Sequence, residues 1–331
     1  LEIVQICNGD IPPRKYGGTQ RVVAWLTKGL LELGHKVTLL IDGKTSIEHE
    51  NLRVIKLPKS IKKILKKSGE NGVYKYLPED YDIVHFHYNP SEEPEFPYVI
   101  TFHWLGKSRD KFDDEILENT IFVSNKHALN NNRFTYIHHG VDPLEFDFKE
   151  KKSDRFLFLS KVSYPPKNVK LAIKLAKDMK FNLDIAGGWR FSISRYLKFH
   201  GMVGGTKKYN LLSRSKAMIF PTLCEEPFGL VTIEALASGT PVITSENGAM
   251  PEIIKNGING FRCTNYQDYK KAVNKISKIN PVDCRKIVEE KFNYLLMAKN
   301  YLEQYESVLS NNGLKKNIGG KNRNEYQKNF R

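Results

Sequence analysis

Pro221–Ile254 reads PTLCEEPFGLVTIEALASGTPVITSENGAMPEII. It sets Glu226 and Glu234 on either side of seven intervening residues, across a turn and the opening of a helix. Leu230, Ile233, Leu236 and Ala237 recur at helical spacing. Pro227, Phe228 and Gly229 precede that run, where a helix begins. One carboxylate therefore falls in the loop before the helix and the other in its second turn. The amides near Gly229 and Leu230 face the same hollow, and a helix start offers free N–H groups and a positive dipole end to an anion. Acceptors for sugar hydroxyls beside donors for phosphate suggest a nucleotide-sugar site.

Outward from this stretch, the second half alternates strands and helices. Arg155–Ser160, Phe181–Ala186, Tyr196–His200, Ala217–Phe220 and Pro241–Thr244 read as strands. The first half has the same rhythm in Glu2–Cys7, Lys36–Ile41, Asp82–His87, Tyr98–Phe102, Ile121–Ser124 and Phe134–His138. Between its first two strands, Val22, Val23, Trp25, Leu26, Leu30 and Leu33 mark a helix that stops at Gly34. Short apolar strands interleaved with helices predict parallel α/β sheets covered on both faces. Pro143–Asp154 is polar and aperiodic, which makes it the linker between two domains, residues 1–150 and 151–310. A ligand cleft is expected between them, at the carboxyl ends of the strands. Tyr294–Leu309 has a helical pattern. Asn311–Arg331 carries six basic residues against one acidic and little apolar content, so it reads as a disordered tail.

The chain has 331 residues and a net charge of +15. Residues 1–150 hold 20 Lys and Arg against 22 Asp and Glu, whereas residues 151–331 hold 32 against 15, so the halves carry −2 and +17. A basic half attracts phosphate, nucleic acid or an anionic membrane. Zinc-finger spacing and RNA-recognition aromatics are lacking, which argues against nucleic acid. No apolar run reaches the roughly 18 residues of a membrane span. Cys7, Cys224, Cys263 and Cys284 show neither metal spacing nor a redox pair, as expected of reduced thiols in the cytoplasm. Asp80-Tyr81-Asp82 spells D-x-D, but it lies just before a buried strand, where a metal site is not expected.

Taken together, Tyr16-Gly17-Gly18-Thr19-Gln20, Thr101-Phe102-His103, Ser160-Lys161 through Lys167-Asn168, Gly201-Met202-Val203 and the two glutamates resemble the ordered motifs of family 4 glycosyltransferases. These are retaining enzymes of the GT-B fold, in which two Rossmann-like domains enclose a cleft and the last helix crosses back to the first domain. The resemblance runs from about residue 1 to 310. It implies a metal-independent transfer, with no cofactor, from a nucleotide-diphospho-sugar, taken here as a UDP-sugar, to a hydroxyl of a glycan, glycolipid or small molecule.

The same resemblance assigns roles. Lys161 and Lys167 stabilise the departing diphosphate, Lys161 standing where the family has arginine and so lacking its bidentate fork. Glu226 accepts from the donor sugar's hydroxyls, His103 contacts that sugar, and Glu234 holds the ribose. Gly17 and Gly18 approach the donor's phosphates or sugar through their backbone, as Phe228, Gly229 and Leu230 do from the helix start. Met202 and Val203 belong to the base-binding loop. A sugar-nucleotide epimerase or phosphorylase of the same architecture remains open, as does a basic RNA- or membrane-binding protein with a degenerate core. Lys59–Lys67 groups Ile61, Ile64 and Leu65 on one helical face among lysines, a pattern compatible with peripheral contact with an anionic membrane.

Overall fold

A computed structural model describes residues 1–14, 17–58, 71–90, 92–105 and 116–316. Tyr16, the basic segment Lys59–Lys67 and the tail beyond Lys316 fall outside them.

The first half forms one sheet from β1 (Glu2–Cys7), β2 (Lys36–Ile41), β3 (Leu52–Lys56), β4 (Ile83–Phe86), β5 (Tyr98–Phe102) and β6 (Thr120–Phe122), in the order β3-β2-β1-β4-β5-β6. The second half repeats it with β7 (Phe156–Leu159), β8 (Leu183–Ala186), β9 (Leu197–Phe199), β10 (Met218–Phe220), β11 (Val242–Ser245) and β12 (Gly260–Cys263), in the order β12-β11-β10-β7-β8-β9. All pairings within both sheets are parallel. The central strands are buried throughout, which is why they are written as unbroken apolar runs such as Phe156-Leu157-Phe158-Leu159.

In each sheet the strand order reverses beside the half's first strand, between β1 and β4 and between β7 and β10. Loops diverge there and leave a crevice at the carboxyl ends, the general ligand position of open α/β sheets. The loops leaving β1, β7 and β10 carry Gly17-Gly18, Lys161-to-Lys167 and Glu226 respectively.

Three local readings change. Phe134–His138 forms no strand, only an isolated bridge between Tyr136 and Phe122. Two edge strands, β3 and β12, were not legible. Leu52–Lys56 interleaves Arg53 and Lys56 with apolar residues and leaves Val54 44% exposed, so it lacks a continuous run. The start of the expected tail is held in place: Lys315 N donates to Gln304 Oε1 at 2.8 Å, and Ser307 Oγ donates to the Gly313 carbonyl at 2.7 Å.

Helix Tyr294–Leu309 lies against the first half rather than the second. Ala298 packs beside Gly29 of helix Gly18–Glu32, and a side chain at Gly29 would come within 2.8 Å of the Ala298 methyl. Tyr301 and Tyr305 are fully buried against the first sheet, their hydroxyls 2.7 Å from Thr101 Oγ1 and His85 Nδ1. This helix ties the two halves by core packing as well as by the chain.

Candidate active site

Two cavities meet in the crevice. The smaller, of about 200 Å³, is walled by Ser160, Lys161, Lys167, Met202, Val203 and Phe220 of the second half, with Gly17, Gly18 and Arg21 closing it from the first. Glu226, Gly229, Leu230 and Glu234 complete it. The larger, of about 850 Å³, shares Gly17, Gly18, Glu226, Gly229 and Leu230 and adds Asp10, Arg14, His103, His139 and Phe228. Ten of the twelve residues singled out in the sequence thus line the smaller cavity. His103 and Phe228 line only the larger.

Gly229 makes the junction possible. It caps helix Leu230–Ala237 with φ of 85° and ψ of 56°, a left-handed conformation that glycine adopts without strain. The chain can therefore turn sharply from the Glu226 loop into the helix. Among the described residues no side chain caps this start, which leaves the Leu230 and Val231 amides as donors at the cavity wall. Gly248 holds the loop from behind. It too has a positive φ, 63°, and any Cβ there would stand 2.2 Å from Glu226 N.

The charges in the smaller cavity are ordered. Lys167 Nζ is bonded to Glu226 Oε2, so the two residues from separate motifs form one unit. An ammonium has three N–H groups, and Lys167 can hold the carboxylate and a phosphate oxygen together. Lys161 is exposed at the cavity mouth and has no ion-pair partner among the described residues.

Glu234, 2% exposed, is bonded through Oε1 to Lys208 Nζ at 2.5 Å, with Lys208 itself 6% exposed. Burial pushes the Lys208 ammonium below its ordinary range, and the Glu234 charge only partly restores it. Sequence reasoning missed Lys208, although a signal existed. Lys208, Leu211 and Leu212 lie at i, i+3 and i+4 on the buried face of helix Gly205–Arg214, whereas the adjacent Lys207 is exposed.

Beside the larger cavity, His103 belongs to a histidine group. Its Nε2 lies 3.1 Å from His87 Nδ1, and its ring stacks 5.3 Å from His139. His87 Nε2 reaches Gln5 Oε1 at 3.0 Å, and His85 lies between the Thr101 and Tyr305 hydroxyls at 2.7 Å each. Burial, together with neighbouring imidazoles, holds His85, His87 and His139 well below the usual histidine range. His103 falls to about 3 for the same reasons. These rings are neutral at physiological pH, and they exchange hydrogen bonds rather than supply charge.

The two halves are latched across the crevice. Glu252 of the second half accepts from Asn125 N at 3.0 Å and Lys126 N at 2.9 Å, at the start of a first-half helix, and lies 2.7 Å from His138 Nε2. Ser124 Oγ donates to the Pro227 carbonyl at 2.6 Å, and Phe228 packs 5.0 Å from His139. Phe228 is 2% exposed, so its side chain serves the contact between halves.

Comparison with known proteins agrees with this arrangement. An uncharacterised glycosyltransferase of Methanocaldococcus jannaschii, MJ1607, is 26% identical over 328 residues, covering 76% of this chain and 82% of the relative. Among solved structures, AviGT4, a glycosyltransferase involved in avilamycin A biosynthesis, superposes with a TM-score of 0.76 at 24% identity, over 95% of this chain and 100% of that one. HepE of Anabaena, in complex with UDP-glucose, superposes with a TM-score of 0.68 at 15% identity, over 92% and 99%. These likenesses establish the GT-B fold. Residues 142–293, most of the second half, match the family model described as glycosyl transferases group 1.

Proposed function

We propose that the protein is a retaining, metal-independent glycosyltransferase that moves a sugar from a nucleotide-diphospho-sugar to an acceptor hydroxyl. One observation carries the reading: Lys161, Lys167, the Leu230 and Val231 amides, Glu226 and Glu234 line one cavity, closed by Gly17-Gly18 from the other half. Cations and free amides suit a diphosphate, and carboxylates suit hydroxyls. In this reading the diphosphate spans Lys161, Lys167 and the helix start, the ribose lies at Glu234, and the base reaches Met202-Val203. Glu226 then faces the sugar, and the larger cavity receives the acceptor beside His103.

Transfer breaks the bond between the anomeric carbon and the phosphate oxygen and forms one from that carbon to the acceptor oxygen. With attack on the same face, the departing phosphate takes the acceptor proton. Charge then accumulates on phosphate oxygens already faced by Lys161, Lys167 and backbone N–H groups, where electrostatic stabilisation contributes most. A UDP-sugar is the donor we favour, since HepE was solved with UDP-glucose and shares the fold. The acceptor is a glycan, glycolipid or small-molecule hydroxyl, met in the cytoplasm or at its membrane face.

A thermal-shift screen of UDP-, GDP- and ADP-sugars, followed by an assay of nucleoside diphosphate release, tests the proposal. Specific donors raise the melting temperature, and diphosphate release should require an acceptor; NMR of the product should show a retained anomeric configuration. Lys167→Ala and Glu226→Gln should each lower kcat/KM at least about tenfold, since hydrogen bonds to charged groups contribute roughly 1.5–3 kcal/mol. Wild-type turnover in both variants would refute the site. Lys161→Arg should retain activity that Lys161→Ala loses.

A further inference from the structure

Strands β8 and β9 pair in parallel, yet only ten residues, Gly187–Tyr196, join them, and no helix lies between. Parallel neighbours ordinarily need a crossover of a dozen residues or more, usually a helix whose apolar face covers the sheet. Here the crossover is too short to do this, and its apolar side chains face outward. Trp189 is 70% exposed, Phe191 89% and Ile193 92%. Single exposed apolar residues are ordinary, but three within five positions form a patch that marks an interaction surface. The Trp189 ring rests on Phe199 at 5.7 Å, which fixes the base of the loop. Met202, 49% exposed, extends the apolar surface to the rim of the smaller cavity that it also lines.

Along the chain, the charge flanking this patch has one sign. From Ile185 to Cys224 the chain has seven Lys and Arg and no acidic residue. Three of the seven are answered elsewhere, Lys208 by Glu234, Arg214 by Asp184 and Lys216 by Asp154. Arg190, Arg195, Lys198 and Lys207 remain exposed. Along WRFSISR, residues 189–195, apolar residues alternate with small or cationic ones. Apolar tips among arginines complement an anionic bilayer, where tryptophan favours the interface, apolar side chains enter the acyl boundary and cations meet lipid phosphates. A protein partner would need acidic residues ringing an apolar socket, whereas a bilayer meets both requirements without a built site.

We infer that the β8–β9 loop is an insertion loop for an anionic membrane surface, docking the second half with the rim of the smaller cavity near the lipid. This extends the transferase reading to a membrane-borne acceptor, but lipid binding is measured without turnover and stands or fails separately.

The test is co-sedimentation with vesicles of phosphatidylcholine containing phosphatidylglycerol, against phosphatidylcholine alone, at low and high salt. Wild type should bind the anionic vesicles in a salt-sensitive manner, with a blue shift of tryptophan emission that Trp189→Phe removes. The double variant F191S/I193S should lower the partition coefficient at least about tenfold through lost apolar burial, and R190Q/R195Q should weaken binding chiefly at low salt. Neither should alter the melting-temperature shift produced by a nucleotide-sugar. No binding by wild type at low salt overturns the inference. So does undiminished binding by F191S/I193S, particularly if replacing Lys62, Lys63, Lys66 and Lys67 with glutamine abolishes it. If wild type ignores vesicles but self-associates in sedimentation velocity, and F191S/I193S does not, the loop is an interface between two copies and the inference is wrong.

Discussion

Lowering the pH from about 7.5 to 5 should unfold this protein through its buried histidines, well above the range in which carboxylates titrate. His85, His87 and His139 are 0%, 4% and 5% exposed. Burial holds all three well below the ordinary value of 6.5. A base with a depressed folded value binds its proton first in the unfolded chain. Its contribution is therefore complete above 6.5 and is lost as the pH falls towards the folded value. At pH 5 each ring that stays neutral when folded lies about 1.5 units below the unfolded midpoint, or roughly 2 kcal/mol. Three rings together cost roughly 6 kcal/mol, comparable with the whole stability of an ordinary domain. His103, at about 3, and His127, at about 4, add in the same direction.

The environment offers little relief. Nδ1 of His139 meets no hydrogen-bond partner among the described residues, and His87 and His103 would become adjacent cations. Urea titrations followed by tryptophan fluorescence at several pH values from 7.5 to 5 measure the effect. Stability should fall steeply below pH 6.5, towards roughly 4 kcal/mol per unit for the three protons of His85, His87 and His139 and more with those of His103 and His127. His87→Gln should make the slope shallower by about one proton. A flat profile between pH 6.5 and 5 would refute the argument, because the rings would then be taking up protons in the folded state.

Two further perturbations follow from ion pairs that bind separate motifs. Lys208→Met leaves Glu234 buried without its counter-charge and should destabilise the protein by about 3–5 kcal/mol; adding Glu234→Gln should restore much of the melting temperature but not the shift produced by nucleotide-sugars. Glu252→Gln removes the charge that caps the Asn125–Asn130 helix from across the crevice, weakening the latch by about 1.5–3 kcal/mol; the radius of gyration in solution scattering should increase and donor KM should rise, with the melting profile of each half little changed.

The parts of this molecule that could be read in advance are those in which one physical requirement forces one residue pattern. A parallel strand covered on both faces must be continuously apolar, and so the inner strands of both sheets were legible. Leu52–Lys56 and Gly260–Cys263, at one edge of each sheet, are only partly buried and mix charged residues with apolar ones, and so escaped notice, whereas the other two edge strands, β6 and β9, did not. The Glu226–Glu234 stretch was legible for a related reason, whereas Lys161, Lys167, His103, Met202 and Val203 were picked out through the family resemblance. The chain must turn left-handed at Gly229, expose amides at a helix start and place carboxylates on either side, and each requirement leaves a mark in sequence.

Pairing leaves a fainter mark. Glu226 and Lys167 were each read as donor contacts, but their bond to one another could not be seen, because 59 positions separate them. Lys208 went unread because a lysine in a basic helix is ordinarily solvated. Only its register with Leu211 and Leu212 distinguishes it from Lys207. That register now gives the buried pair a physical reason. A carboxylate removed from water is costly without a counter-charge, and Lys208, held on the buried helix face, supplies one to Glu234. The two Glu234 oxygens at the cavity wall can accept from two hydroxyls at once, the pattern a ribose presents. The pair thus reconciles the burial of a carboxylate with its place at the cavity wall.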